Sequence, residues 1–281
     1  MPRLAADRDI GFHALMEQID FTYNKPEISR ELSNIRQIIV SNNGSVLDEA
    51  TFSSTALMYF IAQTNILVPN LSTLTIETRP EYVDIAELEF ISRALREGYT
   101  PTDLEIAIGL EAYDNRIRNK VFKKGLALAV VEQLAEKLAR YNFRLKCYFM
   151  QKPVSGMTDK EAFEDVCNAI DYFGKLAARF GVKVNMHLNP TYVATGSSLE
   201  EAFRNGQYQP PYLRDVARAV MHARGKNLSV CVGLNDEGLA VPGGSFLRDG
   251  DEDLVKCLDA FNATQDFHLL EAQKEKEMEK C

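Results

Sequence analysis

The 281-residue sequence contains no run of about 18 apolar residues, the length a membrane-crossing helix needs, so no span is expected. Its opening residues, MPRLAADRDIGF, lack the apolar stretch of a secretion signal. Cysteine is sparse. Cys147, Cys167, Cys231, Cys257 and Cys281 are odd in number and scattered, which argues against a disulfide framework. No two lie within five residues of each other, so no compact metal knuckle is readable and no metal ligand is assigned. The four histidines are too dispersed for an HExxH site. Positive charge is in deficit: the net charge is −8 and the pI 5.2, which argues against broad phosphate-driven nucleic-acid binding and leaves room only for a local basic patch. No GxGxxG follows a strand-like run and no Walker A pattern occurs, so neither dinucleotide nor P-loop phosphate binding is supported. Together these deficits point to a soluble, cytoplasmic protein.

What is present is a repeated strand–helix pattern in a chain that is 46% apolar. Thr73–Glu81, TLTIETRPE, is the clearest unit: a β-branched and apolar run suited to a strand buried on both sides, turned polar at its end and stopped by Pro80. Similar runs occur at Ile35–Val40, Leu104–Leu110, Arg144–Met150, Val182–Leu188 and Leu228–Leu234. Helices are expected over about 8–22, 48–67, 81–97 with Gly98 as C-cap, and 124–141. Thr158 opens another, with Glu161 completing a capping box, and Pro210-Pro211-Tyr212 starts one with proline in its first turn. A last helical segment begins near Asp251 and ends in the charged EAQKEKEMEK. Six strand–helix units in series imply a parallel sheet with right-handed crossovers. A full eight-unit barrel usually takes about 250 residues. The expected fold is therefore α/β, a partial (β/α)6 TIM-like barrel over 1–248 with a C-terminal helical segment over 249–281; a doubly wound sheet is the alternative.

In such folds ligands sit at the carboxyl ends of the strands. Those ends read Ser41-Asn42-Asn43-Gly44-Ser45, Glu77-Thr78-Arg79, Gly109-Leu110-Glu111, Lys152 and Asn189-Pro190-Thr191. Each is polar after an apolar strand. If they converge, they form a cup with two carboxylates, a guanidinium and an ammonium, suited to a ligand carrying amine, carboxylate and ribose groups. The bland reading is that Glu77 and Arg79 only close their strand as an ion pair. Lys152 could bind a phosphate or carboxylate, or be a solvated strand end. Arg116 and Arg118 could meet a polyanion, or line a solvated helix face. Cys147, Cys167 and Cys231 read as buried small hydrophobes, and Cys257 and Cys281 as exposed. Lys146 and Lys183, the two strand lysines, are expected to point outward.

The order of SNNGS, IETRPEYV, EIAIGLEAYDNRIR, KCYFMQKP followed by TDKEAFEDV, HLNPTYVATGS and GQYQPPYLRDV, with FNATQD at 261–266, resembles the radical S-adenosylmethionine (SAM) proteins of the Elp3/MiaB/NifB-like core group, in its archaeosine-synthesis branch. The resemblance covers most of 9–225. It implies a barrel holding SAM and a [4Fe–4S] cluster that generate a 5′-deoxyadenosyl radical. Ser41, Asn43, Gly44 and Ser45 would meet the methionyl amine, and Glu77 and Arg79 the polar groups of SAM. Gly109 and Glu111 would lie near the ribose, Asn189 and Thr191 near the adenine. Lys152 and Arg116 would face substrate. The implied partners are a tRNA or modified nucleobase and an electron-donor protein.

The sequence departs from that family at its defining feature. The family carries a CxxxCxxC loop after its first strand, whose three thiolates hold the cluster. Here no cysteine precedes Cys147. The expectation is a chain lacking that strand and loop, either because it begins beyond them or because the scaffold has lost its cluster. The first is favoured, since a lost strand would leave a raw sheet edge. As written, the polypeptide is not expected to bind the cluster in the family's manner or to cleave SAM reductively. Two further readings stay open: a catalytically silent SAM-binding or partner subunit, and an ordinary barrel lyase or aldolase using Glu77 or Glu111 as acid or base.

Overall fold

In the computed structural model, residues 10–279 apart from Asn43 are described, with side chains to residue 273. Helices α1 (Phe12–Asn24) and α2 (Pro26–Ser29) precede β1 (Gln37–Val40), α3 (Ser54–Leu67), β2 (Thr73–Glu77) and α4 (Ile85–Leu95). Then come β3 (Asp103–Glu111), α5 (Leu128–Arg140), β4 (Arg144–Gln151), α6 (Asp159–Phe180) and β5 (Val184–Pro190). Helices α7 (Ser198–Arg204) and α8 (Leu213–Met221), β6 (Ser229–Val232), α9 (Glu252–Thr264) and α10 (Phe267–Glu279) complete the chain. The sheet runs β1-β2-β3-β4-β5-β6, all parallel. Sequential order is that of a (β/α) barrel; a doubly wound sheet would reverse direction partway. The α/β partial-barrel expectation holds and the doubly wound alternative falls.

The chain divides into two compact units. One contains Arg3–Ile108 and Gln133–Lys146, the other Gly109–Glu132 and Cys147–Cys281. In the first, register pairs Thr75 with Glu105 and Ile76 with Ile106. Because side chains alternate across a strand, Leu74, Ile76, Leu104 and Ile106 share one face, all at most 3% exposed. Thr73, Thr75, Glu77, Asp103 and Glu105 share the other. In the second unit β5 and β6 repeat the division: Met186, Leu188, Val230 and Val232 on one face, Asn185, His187 and Cys231 on the other.

The helices differ from expectation where polar side chains compete with the helical ladder. α3 starts at Ser54 rather than 48, because Asp48 accepts the Ala50 N–H at 3.1 Å and Thr51 donates to the Ser45 carbonyl at 2.5 Å, folding 46–52 into turns. The helix expected over 81–97 is split, and α4 begins after Asp84, whose carboxylate accepts from Ala86 and Glu87 N–H. Gly98 is not the cap. Arg96 is, and Gly98 instead makes room for Asn65, whose Oδ1 would lie 3.0 Å from a Cβ there. α5 starts at Leu128, since Lys123 and Gly125 take left-handed φ of 53° and 64°. Pro210 and Pro211 precede α8 and present their carbonyls to Arg248, at 2.8 and 3.1 Å. The capping box on α6 is present as expected: Glu161 N–H donates to Thr158 Oγ1 at 3.2 Å and Thr158 N–H to Glu161 Oε2 at 2.8 Å.

The outer edge of β6 is closed by side chains. Asn262 accepts the Val232 N–H and donates to the Val232 carbonyl, both at 2.8 Å; Gln265 does the same for Val230, both at 2.9 Å. Each amide thus imitates one residue of a neighbouring strand, and this is what the FNATQD run does. Replacing both by leucine removes four hydrogen bonds and bares two edge residues. A loss of about 2–4 kcal/mol is expected in denaturant titration, with concentration-dependent aggregation by light scattering.

Candidate functional site

In the unit containing β1–β2, two of the expected strand ends are stitched together. Asn43 lies outside the described residues. Around it, Asn42 Oδ1 accepts the Gly44 N–H at 2.9 Å, an Asx turn. Ser45 is 1% exposed; its hydroxyl lies 2.5 Å from Thr78 Oγ1 and accepts the Arg79 N–H at 2.9 Å, while the Val46 N–H donates to the Glu77 carbonyl at 3.1 Å. The Ser45 hydroxyl is therefore committed to structure, while Ser41 and Gly44 stay exposed beside the half-buried Glu77. Arg79 forms an exposed ion pair with Glu81 at 2.6 Å.

Deeper on the same face lies a charged network the sequence reading missed. Glu105, 1% exposed, accepts from the Thr75 hydroxyl at 2.8 Å and from Gln37 Nε2 at 3.4 Å. Lys146 Nζ stands 3.3 Å from the same oxygen, and Arg144 Nε is 3.4 Å from the other. Lys146 is 4% exposed and does not point outward. The alternation around it reflects an inner face that is polar rather than one open to water. Lys183, just before β5, is exposed as expected.

In the second unit the end of β3 is unusual. Glu111 takes φ 66°, a left-handed conformation that side chains disfavour. Its Oε1 accepts from Lys124 Nζ at 2.7 Å. A Cβ on Gly109 would lie 2.4 Å from that oxygen and 2.9 Å from the ammonium, so a side chain there would have to push the pair aside. The segment carrying Lys124 is held from within. Arg118, 2% exposed and in a π-helical turn at Ile117–Val121, donates to the carbonyls of Ala112, Tyr113 and Leu126 at 2.9, 2.7 and 2.9 Å. Asn119 closes the turn with two bonds to the Leu126 backbone, and Asp165 of α6 accepts the Tyr113 and Asp114 N–H groups at 3.1 and 2.7 Å. Burial lowers the Arg118 pKa, opposed chiefly by Asp165, and raises that of Asp165, opposed by its two backbone donors. Neither polyanion contact nor a solvated helix face describes Arg118. Arg116 is exposed and lines a cavity of about 200 Å³ with Asp114, Glu161 and Glu164.

Lys152, also left-handed with φ 58°, is 7% exposed, not a solvated strand end. Its ammonium is held by Asp159 at 2.6 Å and lies 5.5 Å from the Tyr208 ring, whose hydroxyl donates to the Lys152 carbonyl at 2.8 Å. Burial raises the Tyr208 pKa. Thr191 N–H donates to the Gln151 carbonyl at 3.2 Å, and Asn189 Oδ1 lies over Gly233, 2.4 Å from where a Cβ would stand. Cys231 is half-buried and meets Asn185 Nδ2 at 3.4 Å, so it is not the apolar filler expected. Cys147 is buried as expected, Cys167 and Cys257 are half-buried, and Cys281 lies outside the described residues. Lys124, Asp165 and Gly233 carry no motif in the sequence that marks them as parts of a site. The one visible signal around Lys124 is the acid-free stretch 116–125 with its five cations. Among the described residues no three histidine, cysteine or acidic side chains gather into a set that could hold a metal ion, and no helix is long and apolar enough to cross a membrane.

No family model matches the chain. It is 24% identical over 266 residues to the uncharacterized protein MJ0550 of Methanocaldococcus jannaschii, covering 91% of this chain and 68% of that protein. It is 28% identical over 156 residues to archaeosine synthase subunit beta of Methanosarcina acetivorans, covering 56% of this chain and 42% of that subunit. The subunit of that name from Thermococcus kodakarensis is 23% identical over 207 residues, 73% and 60% of the two chains. Among solved structures, the archaeal Elp3 of Methanocaldococcus infernus with its N-terminus (1–46) deleted aligns with a TM-score of 0.52 at 16% identity, over 90% of this chain and 59% of that one. The fold is shared with that protein. The chain spans less than two thirds of the two archaeosine synthase subunits and of this Elp3 chain.

Proposed function

We propose that this chain is a SAM-binding, radical SAM-type barrel protein that serves nucleobase modification in tRNA, as the archaeosine-synthesis resemblance implies. The sequence likeness to two archaeosine synthase beta subunits supports the relation, and the fold held in common with Elp3 agrees with it. The observation that carries the binding claim is local. Ser45, at the end of the SNNGS run, is locked onto the Glu77-Thr78-Arg79 strand end by its buried contact with Thr78, so the junction of these two strand ends is organised before any ligand arrives.

In this reading Ser41, Asn43 and Gly44 offer backbone and hydroxyl groups to the methionyl amine, with Ser45 acting through the turn it anchors. Glu77 and Arg79 take the ligand's charged groups, Glu111 accepts from ribose hydroxyls over Gly109, and Asn189 and Thr191 border the adenine. Lys152 and Arg116 face substrate, Lys152 with its ammonium held by Asp159. When bound, SAM supplies the adenosyl group; the protein supplies orientation and exclusion of water. A [4Fe–4S] cluster requires three thiolates. The described cysteines do not gather into such a set, so the cluster does not fit the described residues.

The test is calorimetric titration of the full chain with SAM, alongside Glu77→Gln. Saturable binding is expected, weakened about tenfold or more in the variant, the worth of a hydrogen bond to a charged group. Heats equal to dilution, or equal affinities for both proteins, overturn the reading.

A further inference from the structure

We propose that Lys124 is a latch on Glu111, a side chain that occupies the carboxylate until a nucleoside displaces it. The inference rests on the reading of Glu111 as the acceptor for a ligand's vicinal hydroxyls. A diol is best bound through both carboxylate oxygens, and one of them, Oε1, accepts from Lys124 Nζ at 2.7 Å. The ammonium also covers the bare backbone of Gly109, at 2.9 Å from the absent Cβ position, which is the ground a ligand at the end of β3 would have to take. The lysine and the ligand therefore compete for one carboxylate and one surface.

The architecture confines the motion to a side chain. Arg118, Asn119 and Asp165 fix the backbone from Ala112 to Leu126, so opening needs no loop to melt. Lys124 is 36% exposed and Glu111 18%, so the pair borders solvent, where such pairs are weak and screened by salt. A weak, accessible pair built over the bare backbone of Gly109 makes a latch that a ligand can open, and Glu111, held left-handed, keeps its place when the lysine leaves.

The experiment uses 5′-methylthioadenosine, a neutral nucleoside without a carboxylate, titrated into the full chain, Lys124→Met and Glu111→Gln at low and high potassium chloride. Lys124→Met is expected to bind about two- to fivefold more tightly than the unaltered chain, matching the worth of an exposed pair. Added salt is expected to tighten binding to the unaltered chain and leave Lys124→Met unmoved. Glu111→Gln is expected to bind more weakly. If Glu111→Gln weakens binding while Lys124→Met weakens it or leaves it unchanged, the latch is wrong and the ribose role of Glu111 stands. If Glu111→Gln binds as the unaltered chain does, or no protein binds, the underlying reading fails and the latch with it. Should Lys124→Met not fold, the salt series on the unaltered chain decides: affinity that is flat or falls with salt overturns the proposal.

Discussion

Lys146→Met is expected to cost the protein about 3–5 kcal/mol of stability, read as a lowered urea midpoint at unchanged slope. The reason is what remains. Glu105 is 1% exposed, and Lys146 is its most deeply buried cation. Arg144 also approaches it, at 3.4 Å, but is 29% exposed and turned partly to Asp103 at 3.5 Å, so it compensates only in part. Thr75 and Gln37 supply dipoles, not charge. The paired change Glu105→Met with Lys146→Met removes both ions and leaves no buried charge unanswered; it is expected to recover most of the loss, because apolar replacements of a buried pair are often neutral or better. A single variant within about 1 kcal/mol of the parent would show that water reaches the carboxylate and that the network is not the closed one described.

Arg118→Met has its effect elsewhere. Leu126 retains Asn119 as a donor to its carbonyl, at 3.0 Å, whereas the side-chain donor to Ala112 and Tyr113 is lost. Two stranded carbonyls cost about 2–6 kcal/mol, enough to release the segment 112–127 without unfolding the sheet. Limited trypsin digestion should then cut after Lys120, Lys123 or Lys124 at least about ten times faster, the change in open population that about 1.4 kcal/mol produces. Arg118→Lys should not restore resistance, since one ammonium cannot span carbonyls served by a guanidinium fork. Resistance equal to the parent's in Arg118→Met would mean that Asp165 and Asn119 suffice.

The strands were legible because their signal is local. All six were placed to within a few residues by apolar runs ending in polar turns, and Thr158 with Glu161 announced α6 without help from the rest of the chain. The misses at Lys146 and Gly98 share one cause, a partner remote in sequence. Lys146 reads as an outward lysine until Glu105, 41 positions earlier, is known to be beside it. Arg118 reads as a surface cation because nothing nearby says that the backbone folds around it. Gly98 looks like a helix cap, and its real role is to admit Asn65. The strand ends were correctly located as polar, yet which groups remain available depends on contacts such as Ser45 with Thr78 and Lys124 with Glu111, and no spacing rule encodes those.

The amides of Asn262 and Gln265 also fix where chemical ageing would be felt. Deamidation of either one replaces an N–H donor with a second acceptor, facing the carbonyl of Val232 or Val230 across about a hydrogen-bond length. Attraction becomes repulsion at a position where the backbone has nowhere to turn for water. A sheet margin protected by two side-chain amides is thus perishable in a way that one sealed by a polypeptide strand is not, and old preparations should first fray at β6.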